Sequence, residues 1–279
     1  MKKFLTDIHT HSKYSFDGQS ELAEMLAVAH GKGIDFYGVS EHFDYDLLCL
    51  PVLPRGLTDA EAYFHGARRL QGDYEGAMNV LVGAEFSYAD DEKAHRAYEE
   101  TYKKYRPDFI VNSVHTLHGE DYYDGGCYYT TGGNGDRVLR DKREVYEEYL
   151  GLVERSLLVS YPYDIVGHIG YVTRYAPYAD ASMPYEEYAA RFDVILKTIV
   201  GKNKILEANT SVRDKTFLPT VDIFRRYFEL GGRNVSLASD AHGVDRIAEK
   251  REEAVRKLKA IGFTHVTVPC KGEYIKLEM

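Results

Sequence analysis

Acidic and histidine side chains stand at the ends of short apolar runs along the whole length of the chain. The first run, residues 4–8, leads into His9 and His11. Later runs end in the same kinds of side chain, which are Glu41-His42, Glu85, His115, His168 and Asp240-Ala241-His242. Imidazole nitrogens and carboxylate oxygens are common ligands of divalent metals. If the runs are parallel strands of one barrel, these side chains all lie at one mouth, where together they predict a polynuclear metal site.

Histidine spacing strengthens this interpretation. His9 and His11 are two residues apart at a strand end, so they point to the same side and can bind one metal. One His-x-His motif by itself is weak evidence for a metal site, because a single histidine is more often a core or surface residue. Six of the eleven histidines, however, stand at predicted strand ends, which favours a shared site. Glu41 should point away from His42 on its strand and is left out of the predicted site.

The segments between these motifs alternate between strand-like and helix-like patterns. Such alternation predicts parallel strands joined by crossover helices, and we count about seven strands, the sixth at residues 204–208. A late run at 264–268 could be an extra strand or an edge. No linker rich in proline, serine or charge divides the sequence, so we expect one domain over residues 1–279.

Two long connections leave the same predicted face as the ligands. They follow the second and fourth strands and cover residues 43–56 and 116–140. Long loops in compact domains are usually functional or disordered. A lid or specificity role and a surface excursion without chemistry both remain open.

The composition excludes several classes of function. A net charge of −9 over 279 residues argues against sequence-independent nucleic-acid binding, which needs a basic surface. No apolar stretch approaches the roughly 20 residues that span a membrane, and the short basic start is no signal peptide. The three cysteines, Cys49, Cys127 and Cys270, form no CxxC pair. They indicate neither a disulfide framework nor a thiolate zinc site, so a cytoplasmic location is the default expectation.

The strand-end motifs resemble those of the PHP (polymerase and histidinol phosphatase) domain family. The first motif is matched by His9-Thr10-His11-Ser12 followed by Ser15-Phe16-Asp17-Gly18. The remaining motifs are similar, in order, to Ser40-Glu41-His42, Gly83-Ala84-Glu85, Ser113-Val114-His115, Gly167-His168 and Ser239-Asp240-Ala241-His242. The resemblance spans roughly residues 6–243. It implies an α/β fold, a distorted (β/α)7 TIM-like barrel, that binds three metal ions.

The resemblance also implies which residues share each metal. The first metal would be held by His9, His11, Glu85 and Asp240; the second by Glu85, His115 and His168, with Glu85 bridging; and the third by Asp17, His42 and His242. Some family members have a histidine at the position of Asp17, where a carboxylate can still bind a metal and can alter the metal preference. Nitrogen and oxygen ligands are compatible with Zn²⁺, Mn²⁺, Fe and Ni²⁺.

Phosphate-ester hydrolysis is the chemistry that such a site supports. Two metals that share a carboxylate lie roughly 3.5–4 Å apart and lower the pKa of a shared water toward neutrality. The resulting bridging hydroxide would attack phosphorus, and the third metal could hold a non-bridging phosphate oxygen. The leaving group needs an acid, for which Asp240, His242 or a metal-bound water could serve.

Arginine forks match phosphate oxygens, and two arginines stand in loops of the predicted active face. Arg174 follows His168 by six residues and Arg213 follows Asn209 by four. Both resemble phosphate-binding residues of the PHP histidinol phosphatases. His118, three residues after His115, could approach the substrate or be merely a loop residue.

The leading hypothesis is a metal-dependent phosphomonoesterase that converts L-histidinol phosphate and water to L-histidinol and phosphate in histidine biosynthesis. The expected binding partner is a small molecule, the phosphorylated substrate. The oligomeric state is left open. A PHP phosphoesterase acting on a nucleotide, a sugar phosphate or phosphotyrosine is the alternative enzyme. A non-catalytic PHP metal-binding module is a further alternative, although such modules often lack ligands. An amidohydrolase-type barrel also opens with HxH, but it typically carries a carboxylate or carboxylated lysine where this chain has His115.

Overall fold

Parallel strands and helices alternate along the computed structural model, which describes residues 4–49, 56–213 and 216–279. The strands are β1 (Thr6–Asp7), β2 (Phe36–Val39), β3 (His42–Phe43), β4 (Asn79–Val82), β5 (Ala84–Ser87), β6 (Ile110–Ser113), β7 (Thr116–Leu117), β8 (Glu120–Asp121), β9 (Tyr129–Thr131), β10 (Arg137–Leu139), β11 (Ile165–Val166), β12 (Ile205–Asn209), β13 (Val235–Ala238), β14 (His265–Cys270) and β15 (Glu273–Glu278). The helices are α1 (Leu22–Gly31), α2 (Ala60–Asp73), α3 (Glu92–Tyr105), α4 (Lys142–Ser156), α5 (Ala189–Gly201), α6 (Val221–Glu229) and α7 (Arg251–Ile261).

Aspartates define where three of the crossover helices begin. The carboxylates of Asp59, Asp91 and Asp141 accept hydrogen bonds from backbone N–H groups in the first turns of α2, α3 and α4. These N–H groups have no partner within the helix, so an aspartate at this position satisfies them. The three aspartate caps therefore fix the points at which the chain passes from the preceding loops into the outer layer of helices.

Seven strand positions make up the ring of the barrel. β1, β2 and β4 form one parallel series, and β3, β5, β6, β11, β12 and β13 form the other. β2 and β3 occupy one position and β4 and β5 another, because each pair is interrupted by only one or two residues. Between β13 and β1, the Ile8 N–H donates to the Leu237 carbonyl at 3.0 Å and Thr10 forms a parallel bridge with Ala241. The predicted distorted (β/α)7 barrel is confirmed.

The core extends from the first strand to the C-terminal residue. Buried apolar side chains between Ile8 and Met279 belong to one cluster. Tyrosine takes the place that tryptophan has in many cores, since several of the largest fully buried side chains are tyrosines. Some of their hydroxyls donate to backbone carbonyls, as Tyr63 does to Gly83 at 2.7 Å and Tyr128 to Val172 at 2.6 Å, which satisfies the polar end of those two rings.

The C-terminal run and the two long connections have defined structure where they are described. The run at 264–268 is the first strand of an antiparallel hairpin, β14–β15, which forms a sheet of its own. The connection at 116–140 contains two further hairpins, β7–β8 and β9–β10. The connection at 43–56 includes a short 3-10 turn, Tyr45–Cys49, and lies partly outside the described residues. Within the described ranges, every helix is too short or too polar to cross a bilayer.

Candidate active site

The carboxyl ends of the ring strands bring the predicted ligands together around Glu85. This carboxylate lies on β5, is fully buried, and contacts five imidazole rings. The nitrogen–oxygen distances are 3.2 Å to His9, 3.5 Å to His11, 3.0 Å to His42, 3.1 Å to His115 and 2.8 Å to His168. A carboxylate surrounded in this way can serve more than one metal.

The first predicted set of ligands lies on one side of Glu85. The Nε2 atom of His11 is 3.3 Å from Oδ1 of Asp240, and that of His9 is 3.9 Å from the same oxygen. His9, His11 and Asp240 form a group whose ligand atoms all lie within 4.8 Å of one another. Asp240 has a left-handed backbone (φ 50°), and its N–H donates to the His9 carbonyl at 2.9 Å. Such a conformation is uncommon for a residue other than glycine and is concentrated at functional sites.

The second set lies on the other side. The Nε2 atoms of His115 and His168 are 3.4 Å apart, and both approach Oε1 of Glu85. Ser113 on β6 donates its hydroxyl to the same oxygen at 2.6 Å. Gly167, just before His168, makes room for this serine, because a Cβ there would lie 2.3 Å from Ser113 Oγ.

The third set is at the outer edge of the mouth. The Nε2 atom of His242 lies 3.2 Å from Asp17 and 3.4 Å from Nε2 of His42, and Asp17 is 3.8 Å from His42. Ring stacking connects this set to the first, since the His11 ring lies 4.1 Å from that of His42 and 4.4 Å from that of His242. Asp17 is the most exposed of the nine predicted ligands, with 40% of its side chain accessible.

These donor atoms fit divalent cations. His9 Nε2, His11 Nε2 and Glu85 Oε2 are buried and make no hydrogen bond. The 3.4 Å approach of His115 to His168 places two ring nitrogens face to face. Burial of unpaired polar atoms is costly, and a cation between them would remove that cost. The residues present therefore fit the metals that the motifs predict.

The electrostatics of the cluster keep two of the candidate ligands, Glu85 and His11, in the forms that bind metals. Burial favours the neutral carboxyl, yet His9, His115 and His42 hold the pKa of Glu85 well below its usual value. Burial, helped by His42 and His242, lowers the pKa of His11 to about 3. Glu85 is therefore an anion and His11 a neutral imidazole, which are the protonation states required for metal binding.

A group of buried carboxylates behind the ligands was not predicted from the sequence. Glu207 on β12 accepts from His9 Nδ1 at 2.6 Å, and its second oxygen accepts from the His168 backbone N–H at 2.7 Å. Asp44 lies 3.3 Å from His115 Nδ1. An acidic residue inside an apolar strand that leads to the site is the sequence signal that could have identified Glu207. Carboxylates in these positions orient ligand imidazoles.

Glu41 lies outside the ligand cluster, as expected. Its carboxylate accepts hydrogen bonds from the backbone and hydroxyl groups of Ser12 and Ser15 at 2.5–3.1 Å. It therefore fixes the loop of the first motif, which carries Asp17 toward the third set.

A cavity of about 470 Å³ opens above the ligand cluster. Besides His42, His115, His168, Asp240 and His242, its lining includes Phe16, Asp17, Gln19, Asp121, Tyr123, Tyr171, Arg174, Tyr175, Gly243, Asp245 and Arg246. The Arg174 guanidinium lies 2.6 Å from the Ser211 hydroxyl and 3.4 Å from Asp240 Oδ2. The predicted arginine of this loop thus stands beside a predicted metal ligand.

Two predicted substrate-binding residues lie elsewhere. Arg213 is exposed and does not line the cavity. The chain turns after Asn209, whose side-chain oxygen accepts a hydrogen bond from the Ser211 N–H at 3.0 Å. Because of this turn, Ser211 and not Arg213 contacts Arg174. The second arginine of the cavity is Arg246, which lies four residues after His242. Arg246 was not predicted from the sequence.

His118, for which an approach to the substrate and a mere loop position were both open, lies in a loop turn and does not line this cavity. His118 and Gly119 have φ values of 55° and 78° and form the two-residue turn between β7 and β8. Positive φ at both positions is characteristic of a type I′ hairpin turn. The turn directs the His118 side chain to the surface, where it is 71% exposed and lies 3.2 Å from Glu148.

Comparisons with known proteins agree with this geometry. The PHP domain family matches residues 7–211. The chain is 29% identical over 252 residues to a probable histidinol-phosphatase of Clostridium acetobutylicum, covering 90% of this chain and 91% of that one. It is 28% identical over 266 residues to the histidinol-phosphatase of Lactococcus lactis, covering 94% and 93%.

A solved structure supports the same family assignment. The crystal structure of histidinol phosphate phosphatase from Lactococcus lactis, complexed with zinc, L-histidinol and phosphate, aligns with a TM-score of 0.84 at 25% identity, covering 98% of this chain and 99% of that one. The resemblance noted in the motifs is therefore confirmed, and the chain belongs to the PHP domain family.

Proposed function

We propose that the protein is a metal-dependent histidinol-phosphatase, which hydrolyses L-histidinol phosphate to L-histidinol and phosphate in histidine biosynthesis. The observation that carries the proposal is the convergence of nine side chains of metal-ligating type, eight of them in close groups and the ninth, Asp17, 3.2 Å from His242, at a cavity that also contains Arg174. The full-length similarity to proteins named histidinol-phosphatase supports this substrate over other phosphate esters.

Three divalent ions are the proposed cofactors, with Zn, Mn or Fe as candidates. The first would be held by His9, His11, Glu85 and Asp240; the second by Glu85, His115 and His168; the third by Asp17, His42 and His242. Bound divalent ions neutralise phosphate charge and lower the pKa of water, which supplies a nucleophile at neutral pH. The distances between ligand atoms of the same set are 3.2–3.9 Å in the first set, 2.8–3.4 Å in the second and 3.2–3.8 Å in the third, which supports this assignment.

Arg174 binds the phosphate group in the proposed reaction. Burial disfavours its charged form, but Asp240 raises the pKa of the guanidinium, which stays charged. Its contacts with Ser211 and Asp240 hold the fork in one orientation. A preorganised cation of this kind stabilises charge on phosphoryl oxygens without reorganisation.

Asp240 transfers the proton that the leaving oxygen needs. Burial alone would raise its pKa, but His11, His9 and His242 hold the pKa well below the usual value, so the carboxylate starts deprotonated. Its Oδ1 faces His11 while Oδ2 faces Arg174 at the cavity. Oδ2 accepts a proton from the attacking water and donates it to the departing alcohol. His242 bonds through Nδ1 to the Asp240 carbonyl at 3.0 Å and positions that residue.

We also propose that residues 1–279 form one catalytic domain, which the single apolar cluster supports. The substrate is a small phosphate ester, and a nucleic acid is not a proposed partner. A cytoplasmic location stays a prediction from the cysteine pattern; within the described residues Cys127 and Cys270 are unpaired.

A panel of phosphomonoesters tests the function. Protein loaded with Zn²⁺ or Mn²⁺ would be assayed for phosphate release from L-histidinol phosphate, a nucleoside monophosphate, a sugar phosphate and phosphotyrosine. We expect kcat/KM for L-histidinol phosphate to exceed the others by at least about tenfold, and a chelator to abolish turnover. A higher kcat/KM for another ester would assign a different substrate, and no turnover by fully metallated protein would favour a non-catalytic module.

A further inference from the structure

One buried carboxylate, that of Asp7, contacts both ends of the segment that carries the last metal-binding motif. We infer that Asp7 is a positioning residue, which holds residues 239–248 in their ligand-presenting conformation before any metal binds. Asp7 belongs to none of the three ligand sets, yet the first and third metal positions depend on it. The inference rests on the three metal positions of the proposed function.

The last-motif segment, residues 239–248, contributes three side chains to the active site. Asp240 belongs to the first ligand set, His242 belongs to the third, and Arg246 lines the cavity. Regular secondary structure in this segment is limited to one 3-10 turn, Val244–Arg246. Its path is therefore set by contacts with other parts of the chain.

The Asp7 carboxylate accepts three hydrogen bonds from the two ends of this segment. Oδ1 accepts the Ser239 N–H at 2.8 Å, and Oδ2 accepts the Ser239 hydroxyl at 2.6 Å and the Ala248 N–H at 2.8 Å. Asp7 is only 1% exposed, so water does not compete for these donors. Buried backbone N–H groups need a partner, and one side chain supplies it at both ends.

Asp7 is itself fixed by the ring of the barrel. It lies on β1, where it pairs with Tyr37 of β2. Two residues later, the His9 carbonyl accepts the Asp240 N–H at 2.9 Å. The position of a ring strand is thus transmitted through the Asp7 side chain to a loop, and the ligands of the first motif are held relative to those of the last.

Two backbone conformations in the last-motif segment need such an anchor. Asp240 and Ala248 have φ values of 50° and 59°, which are uncommon for residues other than glycine. Conformations of this kind persist only where surrounding contacts enforce them. Asp7 bonds to Ala248 itself and to the residue before Asp240, so its contacts lie where they are required.

The three metal positions should differ in how strongly they depend on Asp7. The first includes Asp240 and the third includes His242. The second set, Glu85, His115 and His168, has no member from the last-motif segment, because these residues lie on or directly after β5, β6 and β11. Loss of the anchor should therefore weaken two positions and spare one, a selectivity that a general loss of stability does not produce.

Asp7→Asn removes one backbone anchor at nearly constant size. An amide has a single oxygen, so in either orientation its NH2 group faces the Ser239 N–H or the Ala248 N–H. We expect zinc to bind about 10- to 100-fold more weakly at the first and third positions, and within about twofold of wild type at the second. Competition with a chromogenic chelator measures the affinities, and anomalous zinc peaks at limiting zinc assign them to positions.

Two control variants separate this effect from others. Ser239→Ala deletes the hydroxyl but keeps both backbone donors, and Asp108→Asn changes a buried carboxylate that bonds to Val82 and Arg68 instead. Both should keep wild-type zinc affinity at all three positions. Equal weakening of all three positions in Asp7→Asn, weakening of none, or the selective pattern in either control would overturn the inference.

Amide exchange in the wild-type protein tests the inference without a variant. The Ser239 and Ala248 N–H groups should be protected to a similar degree in metal-free and zinc-loaded protein, because Asp7 and not the metal holds them. Exchange that becomes slow only after zinc is added would show that the metals order the segment, which contradicts the inference.

The proposed function and the inference fail in different ways. If the wild type shows three zinc positions and Asp7→Asn shows the selective loss, but another phosphate ester is preferred, the proposed substrate is wrong and the inference stands. If L-histidinol phosphate is preferred and Asp7→Asn keeps all three affinities, only the inference is wrong. If the wild type binds fewer than three zinc ions, the proposed set of ions and the inference are both wrong.

Discussion

The Glu207 carboxylate and the His9 imidazole form a hydrogen bond of 2.6 Å in which neither side chain is exposed to solvent. The bond keeps a proton on His9 Nδ1, so the lone pair of Nε2 faces Glu85 and Asp240. Because the second Glu207 oxygen accepts from the His168 backbone, one carboxylate orients residues of two predicted metal positions.

Glu207→Gln is therefore expected to weaken metal binding about 10- to 100-fold, the range typical of the loss of a carboxylate behind a ligand. Competition with a chromogenic chelator measures the affinity without reference to activity. Asp108→Asn is the matched control: this carboxylate is equally buried, but it accepts from the Val82 N–H and pairs with Arg68. The Asp108→Asn variant should have a lower Tm and an unchanged metal affinity. If Glu207→Gln binds metal as tightly as the wild type, the hydrogen bond between Glu207 and His9 does not contribute to metal binding.

Arg174 and Arg213 should differ sharply on substitution by alanine. Arg174 lines the cavity and is held by Ser211 and Asp240, whereas Arg213 is exposed and outside the cavity lining. Loss of a charged hydrogen bond to phosphate costs roughly 1.5–3 kcal/mol, so Arg174→Ala should lower kcat/KM about 10- to 150-fold. Arg213→Ala should stay within about twofold. Steady-state kinetics decide this, and equal losses would place Arg213 at the substrate.

His115 and His118 form a second matched pair. His115 is buried against Glu85 and His168, whereas His118 occupies an exposed hairpin turn beside Glu148. We expect His115→Ala to lose one bound metal equivalent and at least about 100-fold in kcat. His118→Ala should keep its metal content and its kcat within about twofold. Elemental analysis together with the phosphate-release assay provides both readouts; a large loss in His118→Ala would restore it as a substrate residue.

Metal-free protein should lose stability as the pH rises. Burial lowers the pKa of His42, but Asp44, Glu85 and Asp17 raise it to about 9, above the roughly 6.5 of an unfolded histidine. A raised folded-state pKa contributes stability that is complete below about pH 6.5 and is lost as the pH rises through about 9.

Bound metal should reverse this trend, because metals replace the protons on ligand histidines. Thermal unfolding with and without Zn²⁺ measures the effect, and the increase in Tm on adding metal should be greater at about pH 9 than at about pH 6.5. An equal or smaller increase at the higher pH would contradict the proposed exchange of protons for metal.

The sequence predicted that the candidate ligands converge because each motif follows an apolar strand of the ring. His115 after β6 and His168 after β11 need only the parallel arrangement of the ring to meet at Glu85. The strand–helix alternation predicted that arrangement. The first-motif loop was predicted only through resemblance, since Asp17 lies well beyond the strand and is brought back by loop contacts such as Gln19 N–H to the His242 carbonyl at 2.7 Å.

Residues that depend on loop geometry could not be predicted in the same way. His118 was a candidate because it is near His115, but its φ of 55° and the next residue, Gly119, make it a turn residue. Arg213 and Arg246 both lie in loops that follow ring strands, and only the path of each loop decides which one reaches the cavity. Glu207 was missed because strand periodicity identifies a buried position without identifying its hydrogen-bond partner.

Anomalous scattering from crystals of the zinc-loaded protein with bound phosphate tests the central claim most directly. The claim is that nine side chains at the ring mouth form three metal positions, that Glu85 bridges the first two, and that Asp240 of the first position also lines the substrate cavity. We predict three peaks: one contacted by His9, His11, Glu85 and Asp240, one by Glu85, His115 and His168, and one by Asp17, His42 and His242, with phosphate between them and Arg174. Fewer than three peaks at full zinc loading, or peaks that Glu85 does not contact in the first two positions, would contradict it.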